Sequence, residues 1–185
     1  MPGQNRYNIP FTLRNLILSF IFIGLLASCH SSKEISSKPA SKPGIATHAL
    51  GAPLAINRNE FVKYAKTFLG TPYLYGSANP QKGLDCSGFV LNVFSHFKVK
   101  APRVTKDYTY EGKEVSIKNA KPGDIILFTG SNHASGIVGH MGIITENGSK
   151  LQFIHAATSK NIGVILSYFE GYYQKHFVKI IQVLE

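Results

Sequence analysis

From position 57 to 97 the apolar residues return at helical spacing, whereas from 125 onward most of them come in short unbroken runs bounded by turn residues. Asn57 and Glu60 form a capping-box-like pair, and Phe61, Val62, Ala65, Phe68 and Leu69 then share one helical face until Gly70, which predicts a helix over about 58–69. Thr71-Pro72-Tyr73-Leu74-Tyr75-Gly76 reads as an extended turn and 77–83 as a polar loop. Apolar spacing through Phe89, Val90, Val93, Phe94 and Phe97 predicts a second helix over about 86–97. Residues 98–102 break the pattern, and 105–111 make a short helix stopped by Gly112. Lys121-Pro122-Gly123-Asp124 is a turn, and Ile125-Ile126-Leu127-Phe128 is a buried strand. After a loop over 129–139, strands at 140–144 and 151–156 flank Glu146-Asn147-Gly148-Ser149, whose Asn-Gly is a hairpin signal. Ser167 and Glu170 read as a capping box for a third helix over about 168–176, and 178–184 closes the chain as a strand. Helices followed by an antiparallel meander define an α+β fold. No internal repeat interrupts this order.

The first fifty residues follow different rules. Arg6 and Arg14 precede an apolar run over 16–26 and then Ala27-Ser28-Cys29, the order of a secretory signal. The run is shorter than the roughly 20 apolar residues that a bilayer core requires. Leu26-Ala27-Ser28-Cys29 also resembles the bacterial lipobox, which implies a signal peptide over 1–28 and acylation of Cys29. Residues 29–54, rich in Ser, Lys, Pro, Gly and Ala, read as a tether with a reach of about 25–30 Å, leaving 55–185 as one domain. His48, within the tether, is given no role. The formal charge of +10 falls to +8 once Arg6 and Arg14 are removed. A basic balance favours anionic surroundings. No basic helical stripe or nucleic-acid module is present, so nucleic acid is not an expected partner.

Cysteine usage sharpens the picture. The chain has two cysteines, and if Cys29 carries lipid, Cys86 has no intramolecular partner in an oxidising compartment. Cys86 falls at a predicted helix start, where first-turn amides favour a thiolate and lower its pKa. Small Ser87 and Gly88 beside it leave room for a substrate. A buried structural cysteine is the competing reading. His140 opens one hairpin strand and His155 closes the other, each about seven residues from the turn, so that pairing brings the imidazoles into register at about 5 Å between Cβ atoms. A base and its orienter have this arrangement, and a helix bearing Cys86 packed on that face completes a triad. Two histidines and a thiol also suit zinc, but their placement fits a triad better, and neither metal nor cofactor is expected.

Five blocks in order, Gly70-Thr71-Pro72-Tyr73, Asp85-Cys86-Ser87-Gly88-Phe89-Val90, Pro122-Gly123-Asp124, Gly139-His140-Met141-Gly142-Ile143 and Phe153-Ile154-His155-Ala156, resemble the NlpC family of bacterial cell-wall cysteine peptidases. The resemblance runs over about 57–184. It implies a papain-like fold and hydrolysis of peptidoglycan stem peptides, typically between D-glutamate and a diamino acid, through a thioester. It further implies Cys86 as nucleophile, His140 as base, His155 as the group orienting the base, and Tyr73 beside the thiol. Tyr73 and Ser87 are the substrate-binding or oxyanion candidates. His133, in a loop longer than the shortest family versions, is a rival base. Gly76-Ser77 in place of two glycines departs from the family pattern, and Pro72 and Leu74 fall where the family varies. The expected protein is a monomer, lipid-anchored to the outer membrane and facing the periplasm. An amidase or acyltransferase on the same scaffold, or a wall-binding module without turnover, are the alternatives.

Overall fold

A computed structural model of the chain describes residues 50–158 and 162–185. The expected signal peptide over 1–28, Cys29, and the tether as far as His48 and Ala49 lie outside the described residues. The final stretch assigned to the tether, 50–54, is packed against the domain. Leu50 is buried in the core, and Leu54 exchanges backbone hydrogen bonds with Val183 and Glu185 at 2.9 and 3.1 Å.

Helix α1 (Arg58–Lys66) begins where the Asn57 side chain accepts from the amides of Asn59 and Glu60. It ends three residues before the predicted boundary. Thr67, Phe68 and Leu69 tighten to i→i−3 bonds with Tyr64, Ala65 and Lys66, and the chain leaves through Gly70 at φ +84°. A two-stranded ribbon, β1 (Ala78–Asn79) and β2 (Gly83–Leu84), occupies the predicted polar loop and delivers the chain to α2 (Cys86–His96). Residues Thr105–Tyr110 form a 3₁₀ helix, more tightly wound than an α-helix, where a short helix is expected.

The remaining strands are β3 (Lys113–Val115), β4 (Ile125–Thr129), β5 (Val138–Asn147), β6 (Leu151–Ala157), β7 (Gly163–Tyr168) and β8 (Phe177–Gln182). They form one antiparallel sheet in the order β3-β8-β4-β5-β6-β7. The α+β architecture read from the sequence is the one observed. Strand β4 explains its unbroken apolar run by being covered on both faces. Ile125 and Leu127 join Phe61, Phe89, Val93 and Phe94 of α1 and α2, while Ile126 and Phe128 join Phe153 and Ile180 beneath. Each fully buried Phe in these layers stabilises the fold by roughly 1.5–3 kcal/mol.

The third predicted helix needs correction. Ser167 and Tyr168 belong to β7, paired with Phe153 and Gln152, and α3 is confined to Tyr172–His176 after Gly171 at φ +52°. Ser167 therefore does not cap a helix: backbone pairing with β6 claims it first. Arg58 ties the two ends of the domain together. Its guanidinium donates to the carbonyls of Pro122, Leu184 and Glu185 and forms a 2.9 Å ion pair with the buried Asp124.

Candidate active site

Helix α2 carries the thiol on its first residue. Asp85, in extended conformation, caps the helix by accepting from the Gly88 amide at 2.6 Å, and Arg103 grips the same carboxylate with two bonds of 3.0 and 2.8 Å. Gly88 is required by packing, because a Cβ there would run into the Ser77 carbonyl. Ser87 is buried, and its hydroxyl donates to Asp85 and accepts from Arg103 at 2.9 Å, so this side chain serves the network around Asp85.

Cys86 is 8% exposed, and its Sγ lies 3.3 Å from Thr105 Oγ1. The lowered thiol pKa expected from the helix start is not what the surroundings produce. Burial pushes the Cys86 thiol up, the Thr105 hydroxyl opposes this, and Asp85 adds to the rise. The amides of Ser87 and Cys86 do pull downward, as a helix start should, but burial outweighs them. Tyr73, bridged to Leu84, is pushed up to about 12 by burial and by the nearby Cys86 and Asp85, so its hydroxyl keeps its proton and can donate.

The imidazole side is built on the sheet. His140 Nε2 and His155 Nδ1 are hydrogen-bonded at 2.8 Å, but the rings meet diagonally across the β5/β6 pair. Ile143 pairs with Ile154, which sets Gly142 opposite His155; the offset from simple counting arises because Asn147 pairs with Leu151, so that the turn is 148–150, and the register shift between Ile144 and Glu146 takes back only part of it. Gly142 makes the diagonal possible, since a Cβ there would sit 3.1 Å from that of His155 and 2.8 Å from the Ile154 carbonyl. Nε2 of His155 reaches Ser167 Oγ at 3.0 Å and the Tyr173 hydroxyl at 3.2 Å. This chain of bonds accommodates an Nε2–H on each ring, which leaves Nδ1 of His140 as an acceptor. Burial lowers His140 to about 4 and holds His155 well below the usual imidazole range, with His140 adding to the second effect.

A cleft of about 580 Å³ opens over the imidazoles, walled by Tyr73, Tyr75, Tyr172 and Tyr173. His140 and His155 line it and Cys86 does not. Among the described residues no hydrogen bond joins the sulfur to either histidine; the structure pairs the two imidazoles and gives the thiol to Thr105. His133 is exposed on the 129–139 segment, with its ring 5.7 Å from that of His176. Among the described residues no three His, Cys, Asp or Glu side chains converge as a metal site would require. Nothing in the sequence marks Thr105 or Tyr173 as a site residue, and the one signal at Ser167 is that of a helix cap.

Residues 70–182 match the model of the NlpC/P60 family. The chain is 39% identical over 110 residues to a protein of Escherichia coli (strain K12) named "Probable endopeptidase NlpC", covering 58% of this chain and 66% of that one. It is 35% identical over 115 residues to the gamma-DL-glutamyl hydrolase of Bacillus subtilis (strain 168), covering 62% of this chain and 26% of that one. In both cases less than two thirds of the relative's length is matched. A solved structure of an NLP/P60 protein from Staphylococcus aureus subsp. aureus Mu50, described as similar to lipoprotein, superposes with a TM-score of 0.60 at 28% identity, covering 72% of this chain and 44% of that one.

Proposed function

The chain belongs to the NlpC/P60 family, and from that premise we propose that it is a cysteine endopeptidase hydrolysing peptidoglycan stem peptides, at the bond between D-glutamate and a diamino acid. The observation that carries this reading is the relay from His140 through His155 to Ser167 and Tyr173, which leaves one imidazole nitrogen as an acceptor beside the cleft. In the proposed reaction Sγ of Cys86 exchanges Thr105 for His140 by a side-chain turn and attacks the scissile carbonyl carbon as its proton passes to Nδ1 of His140. That proton then moves to the leaving nitrogen, the C–N bond breaks, and a thioester remains. His140 takes a proton from water as the water attacks the thioester, and returns it to the departing sulfur. In this reading Tyr73 and the backbone amides at 86 and 87, which act on the sulfur in the resting protein, donate to the oxyanion. Because the thiol is pushed up and the imidazole down, both start neutral, and proton transfer accompanies attack.

Digestion of defined muropeptides by the full chain, followed by mass analysis, tests the proposal. The expected product is a new amine terminus on the diamino acid, and the same product from Cys86→Ala would overturn the reading. Burial of the thiol supports one rival, a wall-binding module without turnover. That rival predicts muropeptide binding with no product. We further propose that Cys29 is acylated after removal of 1–28 and that the following residues tether the domain to the outer membrane on its periplasmic face. This rests on Leu26-Ala27-Ser28-Cys29 and is read from the mass of the mature N-terminal peptide. Among the described residues no helix is long and apolar enough to cross a membrane.

A further inference from the structure

Thr105, the sulfur's partner, opens the 3₁₀ helix over 105–110, and side chains three apart on such a helix face the same way. Tyr108 is therefore aligned with Thr105, toward the core cluster that includes Cys86 and Leu50. Its ring is fully buried, and among the described residues its hydroxyl has no hydrogen-bond partner. The buried ring anchors this helix by packing, but the hydroxyl adds no directional bond that would fix where the helix sits over the sulfur. The residue that closes the helix is Glu111, whose amide donates to the Tyr108 carbonyl at 3.2 Å. Glu111 is 6% exposed, and its carboxylate accepts from the backbone amide of Leu50 at 2.7 Å, across 61 positions of sequence. On the outer side, Lys179 donates to the Thr109 carbonyl at 2.7 Å.

We propose that Glu111, gripped by the Leu50 amide, is a positioning residue for the thiol: it fixes the 3₁₀ helix so that Thr105 stays bonded to Cys86. The chain just ahead of α1 thereby becomes part of the active site without touching substrate. The inference rests on Cys86 being the nucleophile, but it concerns the thiol itself and can be read without turnover. The ionisable groups facing the sulfur are Asp85 at the start of α2, Arg103 from the following segment, Tyr73 from the 71–76 turn, and Tyr108.

The test is the pH midpoint of Cys86 alkylation by iodoacetamide in the full chain, followed on the Cys86 peptide by mass spectrometry. Thr105→Val is expected to raise the midpoint by about one pH unit, since a hydrogen bond that favours the thiolate is lost. Glu111→Ala is expected to raise it similarly, with the double variant no higher than either single one. Glu111→Gln, whose side-chain carbonyl still accepts from Leu50, should stay near wild type. If Glu111→Ala does not fold by circular dichroism, Glu111→Asp keeps the charge, falls one methylene short, and should show the same rise in part. An unmoved midpoint in Glu111→Ala or in Thr105→Val, or shifts that add in the double variant, overturns the proposal. Coupling without muropeptide hydrolysis would instead remove the proposed activity and leave the positioning role standing.

Discussion

The thiol half and the imidazole half of the cleft region are held in opposite ways. Around Cys86 the side chains are fixed by charge, with Asp85 clamped by Arg103 and capping α2, and Glu111 gripping Leu50 behind Thr105. The imidazole half is a relay of neutral groups, His140 to His155 to Ser167 and Tyr173, flanked by Phe128 and Phe153. A charged frame fixes where the sulfur sits. A neutral relay fixes which nitrogen is available to take a proton. Both halves nevertheless hold the group proposed to react uncharged, the thiol by burial and by Asp85 beside it, the imidazole by burial alone.

The severest break is removal of a reacting group. Cys86→Ala should abolish muropeptide hydrolysis, and His140→Ala should lower kcat/KM by about 10³-fold, with near wild-type circular dichroism. Acid strikes the neutral half next. A folded-state pKa of about 4 for His140, below the ordinary 6.5, means the unfolded chain binds the extra proton first as pH falls. Stability is thus complete above about pH 6.5 and is lost progressively toward pH 4, by roughly 3 kcal/mol at most. Urea unfolding at pH 7 and pH 4.5 checks this, and His140→Gln should flatten the difference. Activity should likewise persist down to about pH 5 and fail near 4, as His140 takes up a proton and can no longer accept one from the thiol. The charged half is broken by Asp85→Ala, which removes a helix cap and leaves a partly exposed Arg103 unpaired. Its expected cost is about 2 kcal/mol in chemical denaturation. The smallest effect belongs to Ser167→Ala, expected to lower kcat several-fold because Tyr173 still holds the same nitrogen. Combining it with Tyr173→Phe should cost more than the two separately.

How legible each half was in the sequence follows from the range of its contacts. The α2 start and the hairpin that brings His140 to His155 depend on neighbours close in sequence, and residue types alone indicate them. The diagonal offset of the two rings does not, because it depends on the turn closing over 148–150 and on the bare Cα of Gly142. Strand β7 was hidden for a related reason: Ser167 and Glu170 satisfy a local capping pattern, and only the edge of β6 overrides it. Thr105 and Glu111 act across 19 and 61 positions, where no periodicity reports contact. The rise in the thiol pKa was equally invisible, since burial is a property of the assembled core.

The parallel pairing of Leu54 with Leu184, reinforced by Arg58, places the two margins of the folded unit side by side. A bridging turn of about half a dozen residues would span from 185 back to 50, and the exposed segment 131–136 offers a place to reopen the backbone. A circularly permuted polypeptide of that design would keep every strand neighbour while its new ends projected from the rim of the cleft.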